Sequence, residues 1–391
     1  MARPDPPATP ALAVYVHVPW CRRVCPYCDF AVKAARTPPE ADDLAAFRAE
    51  AAAWADDPAW SGRRATTLYL GGGTPSLYAP ATVAGIVDAV RGAFALDAAA
   101  EVTLEANPGT VGASTLRGYR TAGVTRLSLG AQSMQAPVLR TLLRDHGPDD
   151  VPHAVAAARA AGIANLSLDL IFGVPGQTMA MLEADLVGLL ALEPQHVSAY
   201  ALTYEEGTPF HRWRASGRLR ALDEDDEAAM ADLVAERLET AGLGRYEISS
   251  WARPGFESRH NTAYWDGSDY LGLGPAAHSF RGAPLPGRRW ANLRDPKAWR
   301  TAVATRGTAV GEEDALTVER ARADFAWTGL RRVRDGVDLA AFRARFGVGL
   351  EEALPHAAAL ERDGLVERRG ERLRLTARGL RLADAVAAAL L

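Results

Sequence analysis

A chain of 391 residues, 48% of them hydrophobic, can bury one large core or two to three smaller ones. Its formal charge of −4 excludes a basic face spread along nucleic acid, and it contains no run of 18 apolar residues to span a membrane. The opening MARPDPPATPALAV lacks the charged-then-apolar order of a signal peptide, and the cysteine count is odd, so the expected setting is a reducing cytoplasm.

In chain order, residues 1–11 read as a disordered, Pro-rich start. Short apolar, β-branched runs then alternate with Ala/Leu-rich stretches of helical spacing. Strands are predicted at AVYVHV (13–18), TTLYLGG (66–72), EVTLEAN (101–107), TRLSLGAQS (125–133), NLSLDLIFG (165–173) and HVSAYALT (196–203). Helices are predicted between them over 40–55, 80–93, 112–122, 148–161 and 179–191. Six βα units in a row imply a parallel α/β sheet with right-handed crossovers. A partial (β/α)6 barrel fits better than a doubly wound sheet, because polar punctuation keeps falling at the strand ends. GGGTPS, EANPG, GAQS and DLIFGVPGQ all lie at C-terminal strand ends, the rim where parallel βα folds place their chemistry. Gly/Pro-rich loops occur in any such fold, but Glu105, Gln132 and Asp169 at those ends ask for a further reason.

After residue 205 the pattern changes. A charged helix is predicted over 222–242, followed by an aromatic, Gly-punctuated stretch (246–280) and a Pro/Gly/Arg stretch (281–297). From about 314 the chain reads helix, helix, a two-strand wing at VERRGERLRLT and a final helix, which resembles a winged-helix module. Residues 316–391 carry 14 Arg against 11 acidic residues with no concentrated basic helix, so packing or a lid is expected there rather than nucleic-acid binding. The expected organisation is a core barrel over 12–245, a connecting segment over 246–313 and a C-terminal α+β extension with the winged-helix-like module over 314–391.

All three cysteines, Cys21, Cys25 and Cys28, fall within VYVHVPWCRRVCPYCDF behind the first strand. Cytosolic thiolates at such spacing bind metal or do redox chemistry. Structural zinc needs four protein ligands; His17 would have to be the fourth, four residues before Cys21 on a strand. A redox pair would need only Cys25 and Cys28. An iron–sulfur cube with three cysteines leaves one iron open to a small-molecule ligand.

The C-x3-C-x2-C spacing after the first strand, with Tyr27 before the last cysteine and LGGGTP after the second strand, resembles the radical S-adenosylmethionine (SAM) superfamily. That resemblance implies a 4Fe–4S cluster on Cys21, Cys25 and Cys28, whose open iron chelates the amino and carboxylate groups of SAM and whose electron cleaves the sulfonium. YVHVPWCRRVCPYCDF, GGGTPS, LEANP, RLSLGAQS, LDLIFGVPGQT and the C-terminal module are together similar to the oxygen-independent coproporphyrinogen III oxidase-like subfamily, from about residue 12 onward. By that resemblance the SAM-contacting positions are Tyr15, Gly72, Gly73, Thr74, Glu105, Gln132, Arg144 and Asp169. Strand-end carboxylates suit ribose hydroxyls or an amino group, and Arg144 suits a carboxylate. The alternative is a set of rim residues paired among themselves, such as Arg144 with Asp169.

The oxidases carry a fourth cysteine two places after the third, where this chain has Phe30. The sequence resembles instead the HemW-like branch of haem chaperones, with three cysteines and an H-N-x-x-Y-W motif, present as HNTAYW from His260 to Trp265. Imidazole is an ordinary axial ligand of haem iron, Tyr264 and Trp265 supply flat apolar faces, and Arg259 could reach a propionate. The same residues would also make a packing corner between domains, and His278 competes as the ligand. The resemblance implies haem as cargo, haem-accepting proteins such as respiratory enzymes as partners, and an electron donor. It leaves open peripheral membrane contact and a homodimer. The alternative function is a radical SAM enzyme acting on a porphyrin, by oxidative decarboxylation or methyl transfer.

Overall fold

Strand β1 (Ala11–Val18) buries Leu12, Val14, Val16 and Val18 in the main core, while Tyr15 and His17 point to the opposite face. The structure is a computed structural model that describes residues 11–390. The Pro-rich start lies outside the described residues except for Ala11, which opens β1.

The same two-sidedness repeats along five further parallel strands: β2 (Arg64–Gly72), β3 (Glu101–Ala106), β4 (Arg126–Gln132), β5 (Asn165–Phe172) and β6 (His196–Ala201). Leu68, Leu104, Leu127, Leu168 and Val197 face the helices, whereas Thr67, Glu105, Ser128, Asp169 and Ser198 face inward. Register stacks the inward groups in layers. Tyr15 lies opposite Tyr69, Tyr69 opposite Thr103, and Thr103 opposite Arg126. Glu105 lies opposite Ser128, and Asp169 opposite Ser198. The lumen is therefore polar, and the barrel gains its hydrophobic stabilisation outside.

That stabilisation comes from α1 (Glu40–Asp56), α2 (Pro80–Phe94), α3 (Ala113–Thr121), α4 (Ala136–Thr141), α5 (Asp150–Ala160) and α6 (Met179–Leu190). On α2, Val83, Ile86, Val87, Val90 and Phe94 form one buried face, each contributing about 1.5–3 kcal/mol. Helix α6 starts where the Thr178 hydroxyl accepts from Met181 N at 3.2 Å. The expected strands and helices are all present with shifts of at most two residues at their ends, and the partial (β/α)6 barrel is the architecture observed.

The sheet does not stop at residue 245. After α7 (Pro209–Ala215) and α8 (Glu224–Thr240), β7 (Gly244–Glu247) and β8 (Ser250–Ala252) extend the sheet, β8 antiparallel to β6 and β7 antiparallel to β8 at the edge. Helix α9 (Arg259–Trp265) crosses back, and β9 (Tyr270–Leu273) lies parallel beside β1. Strands β10 (His278–Arg281), β11 (Arg288–Asn292) and β12 (Val310–Asp314) continue antiparallel to give a 12-stranded sheet, with α10 (Pro296–Arg306) between the last two. Sequence periodicity reads 246–313 as a connector because its strands are only three to five residues long.

The C-terminal unit has its own core around Leu330, Phe342, Leu360, Leu373 and Val386. It contains α11 (Val318–Arg331), α12 (Leu339–Phe346) and a three-stranded sheet of β13 (Val337–Asp338), β14 (Val366–Arg369) and β15 (Arg372–Leu375). The wing is the β14–β15 hairpin, with Val366 opposite Leu375. Among the described residues no helix is long and apolar enough to cross a membrane.

Candidate functional site

The cysteine loop leaves β1 at the rim and is closed by a two-residue ladder, Trp20 with Lys33 and Cys21 with Ala34. Cys28 N donates to Cys25 O at 3.2 Å, Phe210 N of α7 to Pro26 O at 2.9 Å, and Arg23 to Leu143 O at 3.1 Å. The Gly-rich turn fastens the other side, where Gly73 N donates to Val18 O and Thr74 N to Trp20 O, both at 2.7 Å. All three thiols are half-buried and unbonded to one another. Burial pushes Cys21 up to about 11, against a hydrogen bond from Thr74, and Cys28 likewise to about 11. Metal binding here must therefore drive off protons. Among the described residues no three His, Cys, Asp or Glu side chains converge as one ion would need; a cluster that gives each thiolate its own iron does not ask for that convergence. Three half-buried thiols in one closed loop are a donor set that fits a cluster taking one thiolate per iron.

The Gly-rich turn has a reason inside the protein. A Cβ on Gly72, at φ +105°, would lie 2.5 Å from the His17 ring, and one on Gly73 would lie 2.5 Å from Trp20 O. Gly72 N donates to Glu105 Oε2 at 3.0 Å, and Tyr69 Oη to Oε1 at 2.7 Å. Burial nevertheless pushes the Glu105 carboxyl up to about 7. Tyr15 Oη meets His17 Nδ1 at 3.1 Å, and His17 Nε2 meets Ala31 O of the cysteine loop at 3.0 Å.

Arg144 is not paired with Asp169. It reaches Gly130 O at 3.0 Å, Asn107 Oδ1, and Cys25 Sγ at 3.7 Å. Asp169 accepts instead from Ser128 Oγ at 3.1 Å. Gln132 holds a left-handed φ of 62° beside Gly130, where a Cβ would come within 2.9 Å of its amide. Tyr15, Gly72 and Glu105 line one cavity, while Gln132, Arg144 and Asp169 lie elsewhere on the rim and lumen. Asn107, of the EANP stretch, is a residue that sequence reasoning missed; its motif was the available signal.

Within the HNTAYW segment, His260 and the preceding Arg259 lie toward the N-terminal ends of the strands, whereas Tyr264 and Trp265 line the cavity beside the cysteine loop. His260 is only 1% exposed. Its Nδ1 meets Thr67 Oγ1 at 2.8 Å, its Nε2 meets Tyr264 Oη at 2.7 Å, and its backbone N donates to Glu101 Oε1 at 3.1 Å. Burial pulls its pKa down to about 3. In this conformation neither ring nitrogen is presented to an iron. Arg259 donates to Ala99 O at 2.9 Å and to Thr66 O at 3.4 Å. These contacts make His260 and Arg259 part of the packing that seats α9 in the barrel.

Beside the cysteine loop lies a cavity of about 750 Å³ between the barrel and the C-terminal unit. Glu105, His17 and Phe30 line it together with the rings of Tyr264, Trp265, Tyr270, Phe280, Phe325 and Trp327. Phe30, 63% exposed, stands at its edge. Arg289, Arg294, Arg345 and His278 also line it. The C-terminal contributions come from residues over 280 positions beyond the cysteines, which sequence spacing could not place together.

An open parallel barrel with a three-cysteine loop and a Gly-rich turn on its rim is the architecture of the radical SAM superfamily, and that family's description matches residues 15–186. The HemN C-terminal domain matches residues 324–382. The solved coproporphyrinogen III oxidase (HemN) from Escherichia coli superposes with a TM-score of 0.82 over 98% of this chain and 90% of that one, at 22% identity, a likeness of fold. The heme chaperone HemW of Mycobacterium tuberculosis is 39% identical over 97% of this chain and 94% of its own. That of Bacillus subtilis is 32% identical over 97% and 99%. The chain belongs to the HemW family.

Proposed function

We propose that the protein is a cytoplasmic haem chaperone that binds haem, carries a 4Fe–4S cluster on Cys21, Cys25 and Cys28, and delivers haem to acceptor proteins such as respiratory enzymes. When bound, such a cluster supplies an open iron for SAM and an electron delivered by an external donor. The chain's part is to hold three thiolates in one closed loop, with Gly73 and Thr74 fastening it, and to offer Tyr15, Gly72, Gly73, Thr74, Glu105, Gln132, Arg144 and Asp169 as SAM contacts. The observation that carries the reading is the aromatic-walled cavity beside that loop, whose flat faces and arginines match a porphyrin with carboxylates.

Anaerobic reconstitution with iron and sulfide, then haem titration and transfer to an apo-haemoprotein, tests this. The expected result is stoichiometric haem uptake and transfer, with no conversion of coproporphyrinogen III to protoporphyrinogen IX. Decarboxylated product dependent on SAM and reductant would move the chain among the porphyrin-modifying enzymes, and failure to bind haem would remove the chaperone reading.

A further inference from the structure

Helix α1 buries two carboxylates on one face, Asp43 and, two turns on, Glu50, with Phe47 between them. Both are saturated with donors, and both receive one from α10. Glu50 accepts from Trp299 Nε1 at 3.0 Å, Asn292 Nδ2 at 2.7 Å and Gly274 N at 2.8 Å, partners that all belong to the sheet extension. Asp43, 1% exposed, accepts from Trp20 Nε1 at 2.6 Å and Tyr78 Oη at 2.7 Å on one oxygen, and from Arg300 at 2.5 Å on the other. Its first two partners belong to the cysteine loop and to the segment that leaves the Gly-rich turn.

A buried carboxylate costs heavily unless its charge is met, so Asp43 fixes the place of the groups that meet it. Trp20 precedes Cys21, and its backbone pairs with Lys33 where the ladder closes the cysteine loop. The Trp20 carbonyl accepts from Thr74 N at 2.7 Å, and Tyr78 N donates to Pro75 O at 3.0 Å as the chain leaves the turn. One carboxylate oxygen thus ties the residue before the first thiol to the far end of the turn fastened against it. Helix α10 adds two outer ties: Arg300 holds the other oxygen, and Asp295, its N-cap, pairs with Lys33 of the loop.

We propose that Asp43 is a positioning residue for the cluster. Acting through Trp20 and Tyr78, it sets the Cys21 thiolate against the Gly-rich turn, and Arg300 makes that placement depend on the seating of α10. The inference rests on the cluster reading and adds to it the group that holds the first thiolate in place. Outer partners of this kind govern how tightly a metal centre is kept, because they decide whether its ligands are already oriented when it binds.

The test is anaerobic reconstitution of the full chain with iron and sulfide. Its readouts are iron release to a chelator and the paramagnetic spectrum of the reduced cluster. Asp43→Asn keeps the side chain's shape and removes its charge, while Trp20→Phe keeps a ring and removes the donor. Each should speed iron release about tenfold and shift the spectrum. Because both break the same hydrogen bond, the double variant should release iron about as fast as the faster single one. Glu50→Gln is the comparison on the same helix: it should lower the thermal stability of the cluster-free chain, yet keep wild-type release and spectrum. If Asp43→Asn and Trp20→Phe lose stability alone, Asp43 only packs α1 and the inference falls while the cluster reading stands. If Glu50→Gln releases iron as fast as Asp43→Asn, a loosened α1 accounts for the loss and the positioning role is overturned. Should Asp43→Asn not fold, Trp20→Phe against Glu50→Gln decides the matter. If wild type takes up no four-iron cluster, the inference and the reading beneath it fall together.

Discussion

The seat of α9 in the barrel and the mouth of the cavity are built from the same residue types, histidine, arginine, tyrosine and tryptophan, yet their polar atoms are in opposite states. Around His260 the hydrogen bonds close on themselves: Thr67, Tyr264 and Glu101 take every polar atom the histidine offers. At the mouth, His278 and Arg345 have no ion pair or strong side-chain hydrogen bond among the described residues. Closed networks specify packing, and open ones keep a place for something else. A motif is therefore a guide to where a family's chemistry gathers, while the choice of ligand follows the unmet atoms.

The largest effect expected tests whether the rim is a third, separate region. Cys28→Ala should abolish the cluster, dropping iron from about four per reconstituted chain to near zero, while haem affinity stays within about twofold. Iron and sulfide assays beside the haem titration read both. A Cys28→Ala protein that keeps its full iron complement would end the cluster assignment, and a parallel collapse of haem binding would show that rim and mouth are one site.

A second effect sharpens the packing side of the comparison. His260→Gln leaves Thr67 or Tyr264 without its partner in a buried place and should cost about 2–3 kcal/mol at pH 7.5. The cost depends on pH. Folded His260 titrates near 3, while the unfolded imidazole titrates at about 6.5, so below about pH 6.5 the unfolded chain takes up a proton that the folded one refuses. Wild type loses stability as pH falls through that window, and the Gln variant lacks this loss. The gap between them should shrink by about 2 kcal/mol between pH 7.5 and pH 5, as read by urea unfolding of both proteins. A gap independent of pH would mean that His260 titrates in the fold as it does in the unfolded chain, contrary to the closed network drawn around it.

The barrel was legible because its strands announce themselves twice, by apolar runs such as Val14, Val16 and Val18 and by polar residues at their C-terminal ends. The cysteine loop was legible because Cys21, Cys25 and Cys28 lie together in sequence. His260 was a natural choice as ligand for the same reason, since Tyr264 and Trp265 follow it within one helix. What that proximity hid is direction. A helix of seven residues turns His260 toward Thr67 and Glu101, while Trp265, five positions on, reaches the cavity. Arg345 and Phe325 were invisible as site residues because tertiary packing of the C-terminal unit, with no local pattern, brings them to β10. The short strands β9 to β12 carried too few residues for alternation to stand out.

The smallest expected effect concerns the joint between the two regions. Arg331 of α11 lies 4.3 Å from the Trp265 ring and 5.8 Å from that of Trp327, and donates to Glu247 Oε2 of β7 at 3.3 Å. It thus ties the C-terminal unit to α9 and to the sheet edge, through two of the aromatic residues that wall the cavity. Arg331→Gln removes a partly desolvated cation–π contact and an ion pair to a carboxylate 4% exposed, together about 1–2 kcal/mol. If the walls must be held to grip a flat ligand, haem should dissociate about three- to tenfold faster in this variant, with its spectrum unchanged because no histidine is altered. Stopped-flow transfer to apomyoglobin measures that rate. A variant that loses the stability but releases haem at the wild-type rate would place the gripping surface on the β10 side of the cavity, with Trp265 and Trp327 serving only the joint.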